Sequence, residues 1–274
     1  MNNSIKNNNT FIPNIGGVGT PPYGANLTQL QVRKRNLTEM NLFTHSPIHL
    51  FPLKRAAFTL AEVLITLGII GVVAALTLPM LIANYQKQVT VTKLQKAYTT
   101  LNQAFRQSEI DNGSSEFWQE TDEISVDEYF NRYWKKYFNE PVYCKTAKEC
   151  GYSSANPYKK LNGSTSQTIG ISRPRVFFKT SDDVFYLFIG HTTNEKGERV
   201  SVNYVFIDIN GAKAPNTYGV DVFRFDRVAG KGILPYGNNA TLAANIANCS
   251  LNASGEYCAA RIMKEGWKIN YSFK

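Results

Sequence analysis

The sequence predicts an α+β fold in which one long N-terminal helix lays its second half on an antiparallel β-sheet. Three observations predict it. Phe58 to Ala83 is a nearly unbroken apolar run. Val91, Leu94, Tyr98, Leu101 and Phe105 then recur at alternating spacings of three and four, the spacing of one helix face. From about residue 170 the period shortens to that of strands.

The chain has 274 residues, of which 43% are hydrophobic, so it can build a sizeable core. Its formal charge is +9, but Lys6, Arg33, Lys34, Arg35, Lys54 and Arg55 all precede Phe58 and face the single acid Glu39 there. The remainder is only mildly basic, which weakens a nucleic-acid reading. Residues 1–57 are rich in Asn, Thr, Gly and Pro and carry no sustained apolar period, so we expect disorder there.

Residues 58–83, as a helix, would be about 39 Å long, enough to cross a hydrocarbon core. Glu62 is their lone charge, and Lys54-Arg55 place the preceding end inside. Residues 84–112 continue the helix as an amphipathic stretch that needs a partner surface, and Asp111-Asn112-Gly113 ends it. The head is then 113–274. A second, shorter helix is expected over Val126 to Phe138, before Pro141.

Strands are expected at Arg175 to Thr180, Val184 to Gly190, Arg199 to Asp208 and Val220 to Val228, separated by polar turns. Val200, Val202, Tyr204 and Phe206 alternate with Arg199, Ser201 and Asn203, as in a strand with one wet face. Cys144, Cys150, Cys249 and Cys258 form two close pairs that suit an oxidising compartment. Zinc is the alternative, yet neither gap matches a zinc knuckle. Three pairings are possible; loop closure favours Cys144 with Cys150 and Cys249 with Cys258.

In a secretory signal peptide the cut follows the apolar stretch, whereas Lys54-Arg55-Ala56-Ala57 comes before it. Ala56-Ala57-Phe58-Thr59-Leu60-Ala61-Glu62 resembles the type IV prepilin motif, also found in type II secretion pseudopilins. The resemblance implies cleavage between Ala57 and Phe58 by a membrane prepilin peptidase, N-methylation of Phe58, and an assembly role for Glu62 as the fifth mature residue. It also implies a structural, non-enzymatic subunit whose partners are copies of itself, other pilin-like subunits and an inner-membrane assembly platform. The subunit would sit single-pass in the inner membrane, in contact with lipid, with its head exported. Ala57 departs from the family's usual Gly, and the leader is long; a start at Met40 leaves the shorter leader 40–57.

A carboxylate in a membrane span costs about 2.5–3.5 kcal/mol on insertion scales, so Glu62 needs a partner. The resemblance names the Phe58 amine of a neighbouring subunit; the local alternative is a capping box with Thr59. Pro79 is expected to kink or locally melt the helix, and Gly71 with Ala75 permits close helix approach.

Asp208-Ile-Asn210-Gly-Ala-Lys-Ala-Pro-Asn-Thr-Tyr-Gly-Val-Asp221 resembles a strand and loop of pseudopilin-like heads. Asp208, Asn210 and Asp221 carry the oxygens that calcium takes, while Asn210-Gly211 and Pro215-Asn216 shape a turn without any ion. No other cofactor is expected. Two other functions compete. An exported enzyme would have His191, expected in the polar turn His191-Thr-Thr-Asn, as its sole mature histidine, with no accompanying catalytic motif. A competence pilin aiding DNA uptake would use Lys159-Lys160 and the basic run Arg173 to Lys179 with Phe177 and Phe178.

Overall fold

The computed structural model describes residues 58–166 and 175–272. The leader, Ala57 included, and Arg173 lie outside them. Helix α1 spans Leu60–Asn112 and ends where Gly113 takes φ 80°, a conformation that costs glycine little. Its buried residues are Val91, Leu94, Ala97, Leu101, Ala104, Phe105 and Ser108, one stripe on the second half. Burying Leu94, Leu101 and Phe105, each fully inaccessible, contributes about 1.5–3 kcal/mol apiece.

That stripe meets a six-stranded meander in the order β1-β2-β3-β4-β5-β6. The strands are β1 Val142–Cys144, β2 Arg175–Lys179, β3 Phe185–Thr193, β4 Arg199–Asp208, β5 Val222–Val228 and β6 Gly232–Pro235, antiparallel throughout. Helix α2, Val126–Tyr133, lies over one end of the sheet; α3, Leu242–Asn248, and α4, Cys258–Lys264, close the chain. Two contacts fix the height of α1 on the sheet. The Tyr98 hydroxyl donates to the Ile233 carbonyl at 2.9 Å, and the Tyr186 hydroxyl donates to the Ala97 carbonyl at 3.1 Å.

The expected fold class is therefore the observed one, with five local corrections. Helix α2 stops at Tyr133, followed by a 3-10 turn at Lys135–Tyr137. Trp134 leaves helical geometry to bury its ring between Phe105 and Phe188. Strand β5 begins at Val222 because the Asp221 and Val222 amides both donate to the Thr217 carbonyl in a tight turn. His191 is not in a turn: β3 carries it opposite Ser201. Helix α1 does not melt at Pro79 but stays helical through it. Proline removes one amide, the partner of the Ala75 carbonyl, and the ladder of apolar helix formers on both sides continues across that gap.

The last correction concerns the wet face. Val205 and Ile207, which continue the Asn203 face expected to be wet, pack into the α1 core instead, and Phe206 on the opposite, apolar face is buried as expected. It belongs to a second core with Tyr152, Tyr158, Phe177, Leu187 and Tyr218. The segment around 147–161 and the loop after β4 roof that face, so the sheet is buried on both sides here.

Candidate functional site

The N-terminal end of α1 is built by three residues. Phe58 is 85% exposed. Thr59 is the N-cap: its hydroxyl accepts from the Glu62 amide at 3.2 Å, while the Thr59 amide and hydroxyl both donate to Glu62 Oε2 at 2.9 Å. This is a complete capping box, which satisfies donors that a helix start otherwise leaves open. Glu62 is thus held close to the helix start and remains exposed.

The next turns are apolar on every side. Leu60, Leu64, Leu67, Ile70, Leu76 and Met80 are all more than half exposed. Nothing lies within 4 Å of a Cβ placed on Gly71, so the notch it makes is open in the isolated chain. α1 is the one helix among the described residues long and apolar enough to cross a membrane. The head closes its own cores and leaves this half of the helix uncovered.

Asp208, Asn210 and Asp221 are brought together at the exit of β4. Asp208 accepts from the Tyr152 hydroxyl at 2.8 Å and from the Asn210 amide at 3.2 Å. Asp221 accepts from the Asn216 amide at 2.9 Å and from the Thr217 amide at 2.6 Å. Burial pushes the Asp208 carboxyl well above the usual carboxylate range, and the Asp221 charge pushes it further. Burial also raises Asp221 to about 6, against the backbone hydrogen bonds from Thr217 and Asn216. With its nitrogen turned inward, the Asn216 amide donates to the Lys213 and Gly211 carbonyls at 3.1 and 3.2 Å. Tested as a calcium cage, the set provides two carboxylates whose oxygens already accept from the chain, beside the buried Asn210 Oδ1, which has no hydrogen-bond partner. Among the described residues no three His, Cys, Asp or Glu side chains converge.

The cysteines pair as Cys144–Cys150 and Cys249–Cys258. Phe177 and Phe178 are buried on opposite faces of β2, so neither presents a ring for base stacking. Sequence reasoning missed Tyr152 and Tyr158, the hydroxyl pair that caps Asp208; they are more than forty positions from it, with no local signal to connect them.

Residues 52–78 match the model of the prokaryotic N-terminal methylation motif, which spans the capping box, Glu62 and Gly71. Residues 80–274 match a family of unknown function, DUF6613. No curated protein matches the chain, and no solved structure does. A methylation motif, a membrane-length apolar helix and a disulfide-stapled α+β head come together in one chain. It is a type IV pilin-like precursor that belongs to the family of unknown function DUF6613.

Proposed function

We propose that the chain is a prepilin whose residues 1–57 are removed by prepilin peptidase between Ala57 and Phe58, leaving an N-methylated Phe58. Residues 58–83 then serve as membrane anchor and polymerisation helix, 84–112 as the spine of the head, and 113–274 as the head itself. The mature subunit joins copies of itself or other pilin-like subunits, through an inner-membrane assembly platform, in a fibre serving protein secretion or a pilus. The observation that carries this reading is the uncovered apolar half of α1: the head satisfies its own surfaces, so that half has lipid or neighbouring helices as its partners. Export of the head fits its two disulfides. The role is structural, since the mature chain's single histidine, His191, lies within β3 and no catalytic motif accompanies it.

Intact mass and N-terminal peptide sequencing test it on protein from cells with active prepilin peptidase. The expected product starts at methylated Phe58 and keeps the apolar helix. An intact leader, or a cut after Ala83, would remove the basis for assembly through this helix.

A further inference from the structure

We propose that the end of the head from which α1 departs is a docking surface for anionic phospholipid headgroups. The inference rests on the reading of residues 58–83 as a membrane span. Tyr85, 66% exposed, stands two residues beyond Ala83, about 3 Å of helix rise. The headgroup layer on each side of a bilayer is about 5–8 Å deep, so Tyr85 falls within it. The turn after β4 comes down beside this stretch: Tyr85, Gln86 and Val89 form an open groove with Ile209, Asn210 and Pro215. That turn therefore stands beside the outer edge of the headgroup layer.

Its charge is one-sided. Lys93 lines the same groove, and Lys213 is exposed at the tip of the turn. Lys159 is bound to the turn by its backbone: its amide donates to the Asn216 carbonyl, and its carbonyl accepts from Tyr218, both at 2.9 Å. Lys160 follows it, and Lys87 is on α1 between Tyr85 and Lys93. The acids at this end are mostly spent. Asp208 and Asp221 are buried in the turn, and Asp182 pairs with Lys96 at 2.8 Å. Asp183, whose carbonyl lies against Gly211, is the exposed acid. Five lysines thus face one carboxylate.

Two arguments choose lipid as the occupant. Lysines beside the exported end of a span run against the usual bias of basic residues to the inner side, already met by Lys54 and Arg55, so topology does not account for them. Lys87, about 6 Å of helix rise beyond Ala83, also lies in the headgroup layer, and Lys93, about 15 Å beyond it, stands about one Debye length above that layer at physiological salt, where attraction to an anionic surface is still felt. DNA is the other polyanion such a patch could hold, but no exposed aromatic of β2 accompanies it, since Phe177 and Phe178 are buried. The docked head would lie on the membrane until a growing fibre lifts it off.

The test uses the full chain in vesicles of phosphatidylcholine, alone or mixed with phosphatidylglycerol, with a fluorophore on Ala214→Cys and a nitroxide on a fixed fraction of headgroups. Stronger quenching in the anionic vesicles, lost at high salt and lost in a variant with Lys93, Lys159, Lys160 and Lys213 all changed to Gln, is the expected result. Circular dichroism of that variant checks that it folds, and the salt series on the parent chain reads the same contact without any lysine substitution. Insertion with equal quenching in both lipids overturns the proposal and leaves the anchor reading intact; failure to float with either vesicle overturns both. Binding of duplex DNA to the inserted chain, with quenching indifferent to lipid charge, assigns the patch to nucleic acid and overturns it as well.

Discussion

The Tyr152 hydroxyl donates a hydrogen bond to Asp208 across 2.8 Å, in a pocket where Asp208 is fully inaccessible. The Tyr152 oxygen lies 3.1 Å from that of Tyr158, so one carboxyl group ends a chain of two tyrosines that ties the 147–161 segment to β4. The second core is closed over this polar chain, and its stability is therefore linked to protonation.

Both Asp208 and Asp221 bind protons more tightly folded than unfolded, because burial disfavours their charged forms. A carboxyl raised in this way costs stability above its folded pKa and stops costing it as the pH falls toward the unfolded value, about 3.9. Thermal unfolding of the full chain in detergent should therefore shift upward by several degrees between pH 7.5 and pH 5, at about 2–4 °C per kcal/mol. The trend should reverse below about pH 4. There Asp111, held down by Lys136, is protonated, as is Asp182, whose burial is outweighed by Lys96 and Thr180. Asp208→Asn should fold and flatten the slope: its amide can donate to the Tyr152 oxygen while Tyr152 donates to Tyr158. A flat profile for the parent chain would contradict the buried pair.

Gly219 has φ +78°, and a Cβ there would sit 2.9 Å from the Cys258 Cβ and closer still to its sulfur. Gly219→Ala should cost about 2–4 kcal/mol, strain and overlap together. Gly197, with φ +82° and open space around it, provides the control, since alanine there bears the conformational cost alone, about 1–2 kcal/mol. Equal losses in denaturant titrations would show that the turn after β4 does not press on the Cys249–Cys258 loop.

How much of this was legible follows from how local each signal is. The stripe from Val91 to Phe105 and the end at Gly113 define α1 because helix periodicity and glycine punctuation are local. Four strands were legible for the same reason, but β1 and β6, three and four residues long, are too short to show a period. Helices α3 and α4 are seven residues each, less than two turns. The expectation of a wet face on β4 failed because Val205 and Ile207 continue the Asn203 face and pack against α1, a contact far apart in sequence with no local signal. At the start of α1, Thr59 and Glu62 were readable as a capping pair because both bonds close within three residues.

The two disulfides close loops of similar size, six and nine residues apart, so chain entropy assigns each about 2–3 kcal/mol. Their surroundings differ. Cys249 and Cys258 are fully inaccessible and belong to the main core, whereas Cys144 is only partly buried. Replacing Cys249 and Cys258 with Ala should lower the unfolding temperature more than replacing Cys144 and Cys150, because it also leaves a void under α4. The opposite order would place the weaker staple in the wrong half of the head.

Glu62 has two roles open to it, and they respond differently to substitution. In the isolated chain its Oε2 holds both the amide and the hydroxyl of Thr59, which makes it a helix cap whose loss costs about 1 kcal/mol. In the fibre reading the same carboxylate, uncovered in the apolar end of α1, pairs with the Phe58 amine of an adjacent subunit. Glu62→Val removes a charge from the span, so insertion should be unchanged or improved. Fibre incorporation, scored in sheared fractions, should nevertheless fall sharply, because each subunit added repeats the same heterologous contact. Glu62→Gln keeps an acceptor for the Thr59 amide but offers no charge to an amine. It should restore helix stability without restoring incorporation; recovery of incorporation by Gln would assign Glu62 to capping alone.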